Sequence, residues 1–122
     1  MQKVNIVKDK SFDFAVRIVN LYKYLTTEKN EFIMSKQVLR SGTSIGANIC
    51  EATQAISPAD FKAKLSISLK EASESDYWLR LLHKTDYLDN NQFDSIIADC
   101  QELFKILTSI IIKLNNNTNT DS

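Results

Sequence analysis

The chain has little of what most enzymes and most β-rich domains are built from. Only two glycines and one proline occur in 122 residues, and β-sandwiches and barrels need many more turn-forming residues than that. Its two cysteines, Cys50 and Cys100, form no C-x-x-C pair, which removes the framework of a zinc or redox site. Both thiols are expected to pack as small hydrophobes, although the count also permits one disulfide. The single histidine, His83, has one acidic neighbour at helical spacing, Asp86. It reads as a side chain favourably placed near a helix C-terminus rather than as a catalytic base. No apolar run approaches the ~18 residues of a membrane span; the longest candidate, around Ile110, Ile111 and Ile112, stops at Lys113. Met1 is followed by polar and charged residues without an apolar core, so a signal peptide is not expected and the reading is cytoplasmic.

What is present fits one helical domain. Hydrophobic residues make up 43% and charged residues 25%, an ordinary globular balance in a chain too short for two cores. Net charge is zero, from 15 basic and 15 acidic residues, which argues mildly against a dedicated nucleic-acid binder. The basic residues are nevertheless denser in the first half and the acidic ones in the second. That split permits one basic face, and equally a complementary contact between helices or subunits.

Four amphipathic segments follow. The first, about residues 11–26, starts at a capping Ser11 and carries Phe12, Ala15, Ile18, Val19, Tyr22 and Leu25 at three- and four-residue spacing. The second, about 31–55, has a weak stripe of Ile33, Gln37, Ser41, Ser44, Ile45, Asn48, Ile49 and Ala52, and it contains both glycines, Gly42 and Gly46. Each glycine costs a helix roughly 1 kcal/mol relative to alanine, so close packing against a neighbour is the simplest compensation. Ser57, Pro58 and Asp60 open the third helix, about 58–87, with Phe61, Leu65, Leu69, Ala72, Leu79 and Leu82 inside. Asp89 with Gln92 opens the fourth, about 90–114. Its seam is Phe93, Ile97, Cys100, Phe104, Leu107, Ile111 and Leu114, flanked by Ile96, Leu103 and Ile110. That wide arc either closes the monomer core or leaves a surplus for another subunit. Residues 115–122 read as a polar, frayed tail. Short connections make the expected fold all-α, an antiparallel up-down-up-down four-helix bundle.

Catalysis finds no foothold. Glu71 and Glu74 are three apart, yet the Glu-x-x-His signature of a di-iron bundle is missing. No serine lies in a nucleophile elbow and no glycine-rich phosphate loop exists. The reading is therefore a non-enzyme with no catalytic residue, cofactor, metal, membrane or small-molecule substrate. What remains is a polar seam. Gln37, Arg40, Ser41, Ser44, Asn48 and Glu51 share one side of the second helix; Glu71, Glu74 and Trp78 follow a similar line on the third. Arg40 can pair with Glu71 or Glu74 in a network that fixes register and subunit arrangement, or the same groups can form a recognition surface.

The segment LRSGTSIGANICEA, residues 39–52, resembles the R-S-x-x-S-I-x-x-N-I-x-E-[AG] signature of a bacterial four-helix bundle family, named for proteins encoded in 23S ribosomal RNA intervening sequences. Gln37 upstream fits as well. So do Phe61, the stretch 65–69, Glu71-Ala72-Ser73-Glu74 and Tyr77-Trp78-Leu79 downstream. Ala52 stands where many members carry glycine. The resemblance covers about residues 12–114 and implies a four-helix protomer that assembles with itself as a homopentameric ring or barrel. It also implies an alternative, since relatives of similar fold act as nucleic-acid-contacting accessory proteins beside reverse transcriptases. On that alternative, Lys3, Lys8, Lys10, Arg17 and Lys23 would be aligned by oligomerisation into a basic surface for RNA or DNA.

Overall fold

The structure, a computed structural model, describes residues 2–120. It consists of α1 (Gln2–Thr27), α2 (Met34–Thr53), α3 (Pro58–Lys84) and α4 (Asn90–Thr120), and no strand occurs among the described residues. Each helix packs on the next in the chain, and α4 closes back on α1. The side-chain contacts give the directions. Along α2 and α3, Lys64 meets Glu51, Ser68 meets Ile45 and Ser75 meets Ser41. Along α1 and α4, Lys3 meets Ser109, Lys10 meets Glu102 and Arg17 meets Asp99. As one member of each pair ascends the chain the other descends, so neighbours are antiparallel. The fold is the expected all-α four-helix bundle.

α1 is longer than expected because Ser11 does not cap it. Val4, Val7, Ser11, Phe14, Ile18, Leu21 and Leu25 form one unbroken buried stripe from the first turn to the last. Ser11 sits inside that stripe, donating to the Lys8 carbonyl at 2.9 Å. The stripe also corrects the face: Phe12 is 68% exposed and Val19 36%.

α2 begins at Met34 because Glu31 turns back over its open end. The Glu31 carboxylate, 6% exposed, accepts from the amides of Ile33 (2.8 Å), Met34 (2.9 Å) and Ser35 (3.0 Å). These are amide donors that the helix itself leaves without partners, and the carboxylate also complements the positive end of the helix dipole. Ile33, expected inside, is 79% exposed. The buried face of α2 is Ser35, Val38, Ser41, Gly42, Ile45, Ile49 and Ala52.

Ser57 caps α3, its Oγ accepting from the Asp60 amide at 3.1 Å. α3 ends at Lys84, before the expected 87, because Asp86 adopts a left-handed φ of 69°. The amides of Tyr87 and Leu88 then fold back onto the Leu82 carbonyl. At α4, Asp89 Oδ1 accepts from the Gln92 amide (2.7 Å) while Gln92 Oε1 accepts from the Asp89 amide (2.9 Å), a reciprocal capping box.

The core face of α4 is rotated from the expected seam. Ile96, Ile97, Cys100, Leu103, Leu107 and Ile110 are buried, and Phe104 is 41% exposed. The flanking residues thus close the monomer core, while Phe104 and Ile112 are the large apolar side chains that α4 leaves exposed. α4 also continues through residues 115–120, in place of the expected frayed tail. Leu114 and Asn115 are half-buried and still packed in the end of the bundle. Residues 121 and 122 of that tail lie outside the described residues.

Candidate functional site

The polar seam of α2 and α3 forms on a backbone brought close by small residues. Ser41, Ser68 and Ser75 are all buried. Ser68 donates to the Ile45 carbonyl across the interface at 2.8 Å, and Ser75 Oγ lies 2.9 Å from both Ser41 Oγ and the Glu71 carbonyl. Buried hydroxyls are tolerated because each finds such a partner. Just outside this layer, the Arg40 guanidinium joins Glu71 (3.3 Å) and Glu74. Glu74 Oε2 accepts in turn from the Trp78 indole at 3.0 Å, and Tyr77 stands edge-on to Trp78 with ring centroids 5.0 Å apart.

The other expected seam residues are less uniform. Ser44 donates to the Arg40 carbonyl (2.6 Å) and Asn48 to the Ser44 carbonyl (2.8 Å), so both side chains turn onto their own helix. Glu51 reaches Lys64 at 3.8 Å, and Gln37 is exposed. The seam is therefore one four-membered cluster, Arg40, Glu71, Glu74 and Trp78, with the remaining groups along α2. With Arg40 half-exposed, its ion pairs are screened by water and add little to stability.

The basic residues of α1 are divided between two faces. Lys3, Lys10 and Arg17, at seven-residue intervals, all point to α4. Lys3 donates to Ser109 Oγ (2.7 Å), Lys10 pairs with Glu102 (2.6 Å), and Arg17 bonds Asp99 (2.6 Å) and Ser95. The hydrogen bond from Lys10 to the Glu102 carboxylate, then its charge, raise the Lys10 pKa above the ordinary lysine value. These contacts are the complementary pairing of a basic first half with an acidic second half. Lys8 and Lys23 face solvent. The five candidate nucleic-acid residues are thus not brought together on one surface of the protomer.

A cleft of about 460 Å³ lies between α3 and α4, lined by Ala72, Asp76, Cys100, Phe104 and Lys105. Its thiol is inert. Burial, reinforced by the Asp76 charge, pushes the Cys100 pKa up to about 12, and Sγ donates to the Ala72 carbonyl at 3.4 Å. Asp76 is occupied with Arg80 at 2.6 Å. Cys50 is exposed and Cys100 buried, both as free thiols. No cluster of three potential metal ligands exists among the described residues, and none of their helices is long and apolar enough to cross a membrane. His83 stacks on Phe93 (centroids 4.2 Å apart) and bonds Asn90 at 2.7 Å, tying the α3–α4 turn together.

One surface escaped sequence reasoning. Phe12, Val16 and Val19 form an exposed apolar stripe on the outer side of α1, 68%, 47% and 36% exposed. The signal was available, because α1 carries two apolar arcs and only the longer one, running from Val4 to Leu25, can fill a core.

The comparisons agree with this architecture. The model of the 23S rRNA-intervening sequence protein family matches residues 3–109. A crystal structure of a protein of unknown function from the S23 ribosomal protein family of Bacteroides thetaiotaomicron VPI-5482 is 63% identical. The match covers 89% of this chain and 97% of that one, with a TM-score of 0.88. No curated protein matches. A family match spanning nearly the whole bundle, together with the signature helix α2 lying against α3 as its polar seam, places the chain in the 23S rRNA-intervening sequence protein family.

Proposed function

We propose that this protein acts without catalysis, as a cytoplasmic interaction protein that assembles with copies of itself. The observation that carries the reading is the outer face of α1. Phe12, Val16 and Val19 stay exposed although the helix has a complete second face for its own core. Three such side chains in line on one helix face form an apolar patch of the kind that marks interaction sites. The titratable groups of the α3–α4 cleft support the same reading: its thiol is held protonated and its carboxylate is engaged by Arg80. The copy number implied by the family resemblance is five, and a ring of that kind needs two different patches on each protomer.

Light scattering on the full chain at micromolar concentration tests the proposal. An assembly of several copies supports it, and a monomer at all accessible concentrations refutes it.

A further inference from the structure

The outer face of α1 carries charge as well as apolar surface, and the order of the charges gives a direction. Asp9, Phe12, Val16, Val19 and Lys23 succeed one another at spacings of three, four, three and four residues. At 100° per residue they fall within an arc of about 80°, turned away from the buried stripe. The three central positions are apolar and exposed. The two outer ones are of opposite sign, exposed, and each seven residues from Val16, one toward either end of the helix. Neither Asp9 nor Lys23 forms an ion pair with another described residue, whereas Lys10 and Arg17 on the adjoining side are paired to α4.

From this pattern we infer that α1 docks, antiparallel, on α1 of a second copy of this chain about a two-fold axis passing at Val16. The inference rests on the self-assembly proposed above and names one of its contacts. In that arrangement Val16 meets its own counterpart, Phe12 meets the region of Val19, and Asp9 meets Lys23 at both ends. A parallel arrangement would set Asp9 against Asp9 and Lys23 against Lys23. Polar and charged positions along a helical seam select orientation in this way. The occupant is a second copy of this chain, because its reversed surface sets Lys23 opposite Asp9 at both ends. An isologous contact of this kind pairs copies, so in an assembly that also contains five-fold rings it joins two rings back to back.

A cysteine placed on the axis tests the geometry. Val16→Cys in a Cys50→Ser background is expected to oxidise to a covalent two-chain species, because the two sulfurs would face each other within disulfide reach. The same construction at Asp13, off the seam, is expected to stay reduced. In parallel, Asp9→Lys should weaken self-association about tenfold at low salt, and Asp9→Lys with Lys23→Asp should restore it, since two exposed ion pairs are inverted together and then rebuilt in reverse. Circular dichroism checks that these solvent-facing variants keep the wild-type fold. A wild-type chain that is monomeric to about 100 µM, a concentration that would reveal even a weak contact, overturns both this inference and the proposed function. An oligomer that neither cross-links through position 16 nor responds to the charge exchange overturns the α1 contact alone.

Discussion

Ile18 of α1 occupies the space that a side chain at Gly42 of α2 would need. A Cβ built on Gly42 would stand 2.7 Å from Ile18 Cγ1 and 2.9 Å from Cγ2, and Ile18 is fully buried. One turn later, a Cβ on Gly46 would stand 3.2 Å from Ser11 Oγ and 3.4 Å from its carbonyl oxygen. The two glycines that weaken α2 as an isolated helix are what let α1 lie against it.

They should therefore respond differently to alanine. Gly42→Ala must displace a core isoleucine, and the overpacking cost of ~1–3 kcal/mol exceeds the helix-propensity gain of about 1 kcal/mol. Gly46→Ala needs only a few tenths of an ångström from Ser11, so the two effects nearly cancel. Urea denaturation should show Gly42→Ala destabilised by about 1–2 kcal/mol and Gly46→Ala within ~0.5 kcal/mol of wild type. Equal effects would mean that the close approach is not what the glycines serve.

Glu31 gives a second prediction. Its carboxylate holds three amides at the start of α2, so Glu31→Ala should cost about 1–2 kcal/mol through loss of a charged cap. The loss should be local: amide hydrogen exchange at residues 33–35 should rise before that of the α2 centre. Unchanged protection at those amides would contradict the cap.

The two thiols should separate cleanly. Cys50 is exposed and should react with a thiol reagent in the native protein, whereas Cys100 should react only on unfolding. The Cys100 pKa also sets a pH dependence. The folded state holds the proton up to about 12 while the unfolded thiol releases it near its reference value, so the native state binds more protons in between. Stability should fall with rising pH across that window, and Cys100→Ala should show a shallower decline there than wild type. Two reactive thiols in the native state at pH 8 would contradict the buried placement.

The Arg17–Asp99 bridge joins α1 to α4 through side chains 39% and 49% exposed. A double-mutant cycle should give a coupling of less than ~1 kcal/mol, shrinking as salt rises. A larger, salt-insensitive value would mean that the pair is desolvated, and with it the α1–α4 junction.

Much of this was legible in the sequence, and the exceptions have two physical causes. Ser57 and the Asp89–Gln92 pair sit next to the helices they cap, so local chemistry identifies them. Arg40 with Glu71 and Glu74 was recoverable because the α2 and α3 patterns place them on facing lines. Glu31 was not, since its longer side chain must curl back to do what Ser or Asp does directly. The face of α1 is ambiguous in the sequence because its residues form two apolar arcs, and periodicity shows that an arc exists without showing which one meets the core. The same ambiguity rotated the α4 seam, where Ile96, Leu103 and Ile110 lie inside and Phe104 faces out. The exposed stripe at Phe12, Val16 and Val19 could be recognised only once the other arc was seen to be filled.

The most direct test of the account is the mass of the full-length protein in solution, measured by sedimentation equilibrium over a range of concentrations. Self-association through α1 predicts an assembly of several copies at micromolar concentration, and a shift to smaller species when Val16 on the outer face of α1 is replaced by glutamate. A single chain mass at every concentration would contradict it.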